Sequence, residues 1–214
     1  MEFDLRALEV AKRYKLLASS ITPRPIAWVT SRSADGINNA APYSFFNMMG
    51  SDPPTVVLGL MLRPEGGLKD SAVNITSTGE FVINLVCEDD AQAMNLTCID
   101  APPEVDECAL AGLQLLPSRI VAPPRIASAP ASFECRVLET VYPGGEGGQV
   151  IVIGEVLMAH IADRFVIDPD RCHVDTEAME LIARVHGAGW YARMTDLFHM
   201  DRPVWPKEAP GSET

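Results

Sequence analysis

ITPRPIAWVTSRSADGINNAAPYSFFNMMGSDPP, residues 21–54, decides the fold. Pro23 and Pro25 impose an extended entry, because proline fixes φ and withholds a backbone donor. Two strand-like runs follow, Ile26–Ser31 and Ile37–Tyr43, on either side of Asp35-Gly36. That dipeptide accepts the positive φ angles of a tight hairpin turn, so the pair predicts a first β-hairpin. Pro53-Pro54 then introduces a third strand, Thr55–Leu62, whose unbroken apolar character predicts burial on both faces.

Upstream, Ala7, Val10, Ala11, Tyr14 and Leu17 fall on one stripe, which predicts a short helix over Arg6–Ala18. Downstream, Gly66-Gly67 ends the third strand, and Leu68–Thr78 reads as a helix capped by Asp70 or Ser71 and stopped at Gly79. The strand Glu80–Val86 follows at once. Asp89–Ile99 and, more weakly, Val105–Ala111 are helical on either side of the rigid Ala101-Pro102-Pro103 break. Phe133–Tyr142 and Gln149–Ile161 are long strand-like runs joined by a glycine-rich loop, Gly144–Gly148. A dinucleotide-binding glycine loop leads from a strand into a helix, and this one leads into a strand, so it reads as a hairpin loop. Strands outnumber helices and follow one another through short turns, which predicts a mainly β, antiparallel, Greek-key-like barrel with a few short peripheral helices. The length suits a single domain over residues 1–202, with a flexible tail at 203–214 in which Trp205 could anchor to a neighbour.

Composition narrows the function. A net charge of -12 with no basic run disfavours nucleic acid or an anionic membrane as partner. Met1–Lys12 is mixed and charged, unlike a secretory leader, and no apolar run reaches the roughly 18 residues of a spanning helix. The five cysteines include no C-x-x-C pair, which suits a reducing cytoplasm better than a disulfide framework. Cys172-His173 and His160 with Asp163 have no second pair at a metal-ligand spacing, so no metal is expected. No G-x-S-x-G elbow marks a serine hydrolase.

Two patterns can hold a ligand. Asn38, Asn39, Ser44 and Asn47 offer hydrogen bonds, while Ala40, Ala41 and Pro42 let a planar ring approach the main chain; ordinary turn chemistry is the alternative. Lys69-Asp70-Ser71 combines a cation, a hydroxyl and the free N–H groups of a helix start, a phosphate-binding arrangement that also describes a plain surface helix. A phosphate would be repelled by Asp70 unless that carboxylate turns inward as the cap.

RPIAWVTS at 24–31, DGINNAAPYSFFN at 35–47, DPP at 52–54, KDSAVNITSTGEFVINLV at 69–86 and ARVHGAGWYAR at 183–193 together resemble the flavin reductase-like FMN-binding family. The resemblance implies a split β-barrel that dimerises, with FMN in a groove shared by the two subunits. It implies phosphate or ribityl contacts from Thr30, Ser31, Lys69, Ser71 and Asn74, and contacts to the flavin ring from Asn39, Ala41, Ser44 and Asn47. Trp28 either flanks the flavin or belongs to the core. His186 and Tyr191 belong to a C-terminal motif that reaches the flavin, where His186 either transfers a proton in catalysis or merely caps its turn. The activity implied is that of an NAD(P)H:FMN oxidoreductase, with NADH or NADPH docking directly over the flavin and a monooxygenase or another acceptor taking the electrons. A flavoredoxin-like carrier, or a flavin-binding module without nicotinamide turnover, is the alternative.

Overall fold

In the computed structural model, which describes residues 1–205 apart from Pro64, Glu146, Gly147 and Ala188, the Asp35-Gly36 turn joins two strands as its chemistry requires. Helix α1 (Val10–Ser20) and the two-residue strand β1 (Arg24–Pro25) lead into β2 (Ala27–Arg32) and β3 (Asn38–Tyr43), with Gly36 at φ +87° between them. Strands β4 (Phe46–Ser51) and β5 (Pro54–Leu60) form a second hairpin, and helix α2 (Asp70–Thr78) runs into β6 (Glu80–Asn84). Helices α3 (Ala91–Leu96) and α4 (Glu107–Leu110) precede the short strands β7 (Leu115–Leu116) and β8 (Arg125–Ile126). The long strands β9 (Ala131–Val141) and β10 (Val150–Ile161) pair as a hairpin. The chain then makes β11 (Val166–Asp168), β12 (His173–Val174), β13 (Ile182–Arg184) and β14 (Tyr191–Arg193).

Seven strands make one antiparallel sheet in the order β3-β2-β6-β9-β10-β5-β4. Its two edges, β3 and β4, are separated in sequence only by Ser44 and Phe45. Seven strands laid flat hold their edges about 29 Å apart, whereas the three peptide steps from Tyr43 to Phe46 reach about 11 Å. The sheet therefore has to curl, and it closes as a barrel whose edges approach without pairing. At the split the Phe45 carbonyl accepts from the Gly59 N–H at 2.7 Å. A Cβ on Gly59 would lie 3.0 Å from the Phe45 Cβ, so the glycine lets the link lie close on β5.

The barrel encloses one apolar cluster, with Val29, Leu58, Ile75, Phe81, Ile83 and Val152 at its centre. A second cluster lies outside it, where Ile26, Trp28, Val86, Met94, Ile126 and Ile182 pack. The strand buried on both faces is thus β2, with Ala27 and Val29 inward and Ile26 and Trp28 outward of it. The expectation of two buried faces for the third strand is corrected: β5 buries Val56, Leu58 and Leu60 and leaves the alternate positions half-exposed.

Gly79 ends α2 in the left-handed conformation, as read from the sequence, but the cap assigned to Asp70 or Ser71 does not form. Lys69 stands at the N-cap position and no side chain caps it. The Asp70 carboxylate is taken by Arg63, and the Ser71 hydroxyl accepts from Asn39 Nδ2 at 3.0 Å. A second amide-to-hydroxyl bond, Asn74 Nδ2 to Ser31 Oγ at 3.1 Å, fixes α2 against β2. The helices expected over 89–99 and 105–111 are present in trimmed form, and the one expected over 6–18 starts later and runs on to Ser20. Two residues of the Gly144–Gly148 loop and residues 206–214 of the expected tail lie outside the described residues. No helix among the described residues is long and apolar enough to cross a membrane.

Glu134 on β9 is fully buried and accepts from the backbone N–H groups of Arg119, Ile120 and Val121 at 2.8, 2.6 and 3.1 Å, with His160 Nε2 at 2.6 Å. Burial pushes its pKa up, but the Arg119 amide, His160 and the Ile120 and Val121 amides outweigh that and hold it below the ordinary 4.5. A depressed carboxyl pKa stabilises the fold above the unfolded value, and that contribution disappears as pH falls through the folded value. Glu134→Gln is expected to lower stability by about 1–3 kcal/mol at neutral pH in urea unfolding. It is also expected to flatten the loss of stability that the wild type shows below pH 4.5; identical acid profiles refute the assignment.

Candidate functional site

The split opens into a cleft of about 290 Å³. Its floor is the outer half of β3 and the link after it, Asn39 to Phe45, together with Gly59. Arg63 and the start of α2, Lys69 to Ser71, line it, as do Arg184 and Tyr191, the pair next to the turn of the β13–β14 hairpin. The segment Thr97–Ala101 and Glu107 complete the rim. The sequence of β3 explains the floor: alanines at 40 and 41 and a proline at 42 leave room above the backbone.

Cations and carboxylates are interleaved at the α2 end. Lys69 Nζ pairs with Asp100 at 3.0 Å, and Arg63 Nη2 with Asp70 at 2.6 Å. Both pairs are partly exposed, so each contributes little to stability and exchanges readily for another anion. The uncapped first turn of α2 adds backbone N–H groups and the positive end of the helix dipole. Two buried polar atoms at this end, Tyr43 Oη and Glu107 Oε2, have no hydrogen-bond partner among the described residues. Burial pushes the Tyr43 phenol up to about 12, the Ser71 hydroxyl pulling the other way and Asp70, Glu107 and Asp100 adding to the rise. Orphaned buried polar groups are costly, which marks this end of the cleft as polar in its chemistry.

Six of the twelve residues singled out in the sequence line this cleft: Asn39, Ala41, Ser44, Lys69, Ser71 and Tyr191. The other six do not. Trp28 is 0 % exposed in the outer apolar cluster, its Nε1 donating to Thr97 Oγ1 at 3.0 Å, so the reading in which it flanks a ligand is corrected in favour of the core. Thr30 is also wholly buried and donates to the Pro124 carbonyl. Ser31 and Asn74 are buried and bonded to each other, which makes them a clamp on α2 and corrects the expectation of phosphate or ribityl contacts from their side chains. Asn47 sits exposed on β4 with Oδ1 accepting from the Met48 N–H at 2.8 Å. His186 is exposed at the turn between β13 and β14, its ring stacked on Trp190 at 6.0 Å.

Arg63, Glu107 and Arg184 line the cleft and were not singled out. Arg63 and Glu107 lie in segments without a recognisable motif; Arg63 reaches α2 from the link just before it, and Glu107 is brought to the same cleft by the tertiary fold. Arg24 was quoted only as part of a motif, yet it organises the floor from behind. Its guanidinium is buried and donates to the carbonyls of Ala18, Ile21 and Val185 at 2.5, 2.8 and 2.9 Å and to Ser44 Oγ at 3.2 Å. One side chain thereby ties α1, the C-terminal hairpin and the two-residue link together.

Residues 19–169 match the family described as flavin reductase like domain. A protein of Deinococcus radiodurans is 44% identical over 204 residues, covering 94% of this chain and 88% of its own. Among solved structures, nitrilotriacetate monooxygenase component B from Bacillus cereus superposes with a TM-score of 0.87 at 30% identity, covering 94% of this chain and 98% of that one. The 2-nitrobenzoate 2-nitroreductase of Pseudomonas fluorescens superposes with a TM-score of 0.85 at 32% identity, covering 98% and 100%.

Arg24→Lys is expected to cost about 2–3 kcal/mol in denaturant unfolding, because a single ammonium cannot satisfy carbonyls on two segments and the Ser44 hydroxyl on a third. A midpoint unchanged from wild type removes Arg24 from its tying role.

Proposed function

The chain belongs to the flavin reductase-like family, and from that premise we propose that its cleft binds FMN and uses it to oxidise NADH or NADPH. The observation that carries the reading is the chemistry of the α2 end of the cleft: two cations, an uncapped helix start and the Ser71 hydroxyl converge where a phosphate has to sit. Arg63 and Lys69 hold the phosphate, each exchanging a carboxylate partner for it. Asn39, the backbone of Ala41 and the Ser44 hydroxyl face the flavin ring, and the small residues of β3 let it lie against the main chain. The same donor set fits the cofactor without rearranging the barrel, since all of it already lines one cavity. Once bound, FMN supplies a hydride acceptor for the reduced nicotinamide and a donor for the next electron carrier.

The nicotinamide has no binding domain of its own in this fold, so it docks over the flavin from the open side of the cleft. Tyr191 and Arg184 border that side, with His186 and Trp190 at the tip of the same hairpin. His186 is the proton donor in this reading. We further assign the protein as a homodimer whose partner covers the cleft mouth. Support comes from the edge strand β4, which leaves Met48 and Met49 exposed at 65% and 61%, and from the apolar side chains of the unpaired segment after β14, Phe198 and Met200 among them. The final electron acceptor is a monooxygenase component or a free flavin.

The purified protein is expected to carry or take up FMN with a flavin visible spectrum, and to consume NADH or NADPH in proportion to added FMN. Nicotinamide consumption that requires a separate reductase identifies an electron carrier instead, and absence of FMN binding refutes the whole reading. Lys69→Ala is expected to raise the Kd for FMN at least about tenfold, equal to about 1.4 kcal/mol, while leaving the unfolding midpoint unchanged. Equal affinity in that variant removes Lys69 from the phosphate site.

A further inference from the structure

Glu107 is an unusual side chain to find in an anion-binding cleft. It opens α4, is 5 % exposed, lines the same cavity as Lys69 and Ser71, and leaves Oε2 without a hydrogen-bond partner among the described residues. The charged and titratable groups around it are Tyr43 on β3, Lys69 and Asp70 at the start of α2, Arg63 before that helix, Asp100 before α4 and Asp106 next to it. Neither neighbouring cation is directed at Glu107: Lys69 pairs with Asp100 and Arg63 with Asp70. Asp106 is turned to other work, capping α4 through the Ala109 N–H at 2.9 Å and accepting from Asn38 Nδ2 at 3.3 Å.

An ionised carboxylate in that position is buried, unpaired and faced by two other carboxylates, an arrangement that costs several kcal/mol. A protonated one is tolerable, and it has an O–H to give. Burial first, then repulsion from Asp70 and Asp106, pushes the Glu107 carboxyl above its ordinary range, against the opposing pull of its own backbone amide and that of Ala40. A neutral acid with an orphaned oxygen, in a residue that lines a cleft whose other donors suit a phosphate, is a hydrogen-bond donor available to an anionic oxygen.

We propose that Glu107 is a specificity residue for the phosphorylated flavin: its protonated carboxyl turns to donate an O–H hydrogen bond to a phosphate oxygen of bound FMN, alongside Lys69, Ser71 and the first turn of α2. The inference rests on the assignment of the cleft to FMN and adds a residue and a pH dependence to it. A site made only of cations and N–H groups binds a phosphate monoester more tightly as pH rises through about 6, where the phosphate takes its second charge. With Glu107 as donor the trend reverses, because the proton that bridges carboxyl and phosphate is lost and two anions are left facing each other.

The test is titration of wild type, Glu107→Gln and Glu107→Ala with FMN and with riboflavin between pH 5.5 and 8.5, read by quenching of flavin fluorescence, with far-UV circular dichroism and thermal unfolding as checks on the fold. Wild-type affinity for FMN is expected to fall about tenfold where Glu107 loses its proton, the worth of one charge-assisted hydrogen bond. Glu107→Gln keeps a donor that cannot ionise, so its FMN affinity does not fall with pH and exceeds wild type at pH 8.5. Glu107→Ala binds FMN weakly at pH 5.5, and riboflavin affinity is the same in all three proteins. The proposal is overturned if Glu107→Gln follows the wild-type pH profile, or if riboflavin loses affinity in step with FMN, which would assign Glu107 to the ribityl chain or ring. Wild type that binds neither flavin overturns the assignment of the cleft itself, a result distinct from either of these.

Discussion

Two residues, Ser44 and Phe45, connect the opposite edges of a seven-stranded sheet, and the rest of the molecule follows from that tether. A chain that reaches about 11 Å cannot join edges that a flat sheet holds about 29 Å apart, so curvature is imposed by covalent length before packing refines it. Closure is nonetheless incomplete: β3 and β4 remain unpaired edges of the sheet, and the tether makes a bond down to Gly59 on β5. The cleft is the space left over, and its floor is the tether together with the end of β3.

Because the tether is part of the floor, its position has to be held by something other than sheet hydrogen bonds. Arg24 does this from behind by joining Ser44 to carbonyls of α1 and of the C-terminal hairpin. The Asn39–Ser71 and Asn74–Ser31 pairs do it from the side by locking α2 to β2 and β3. Polar side chains are used here as fasteners between elements, where directionality matters more than the modest net energy of each bond. The barrel interior, in contrast, is held by apolar contact alone.

The electrostatics of the cleft fit a strongly acidic protein. With a net charge of -12, exposed cations near the site find carboxylates close at hand, and Lys69 and Arg63 each have one. Such pairs hold the cations in place, and in the proposed reading a phosphate enters by exchange of partners rather than by capture of free charge.

Local chemistry in the sequence determined the elements themselves: the Asp35-Gly36 hairpin, the strand after Pro53-Pro54, the α2 stop at Gly79 and the long β9–β10 hairpin each depend on residues within a few positions of one another. Half of the candidate site was legible for the same reason, since Asn39, Ala41, Ser44, Lys69, Ser71 and Tyr191 sit in contiguous motifs. What only the tertiary structure decided is which side of each strand faces the cleft and which distant segments meet there. Trp28, Thr30 and Ser31 share one strand, yet the outer cluster with Met94, Ile126 and Ile182 covers Trp28, the Pro124 carbonyl takes the Thr30 hydroxyl, and Asn74 of α2 holds Ser31 on the other face. Arg63, Glu107 and Arg184 come from three separate segments and converge only because the sheet is curled. Side-chain type and spacing can be read along a chain, but burial is a property of what packs against it from elsewhere.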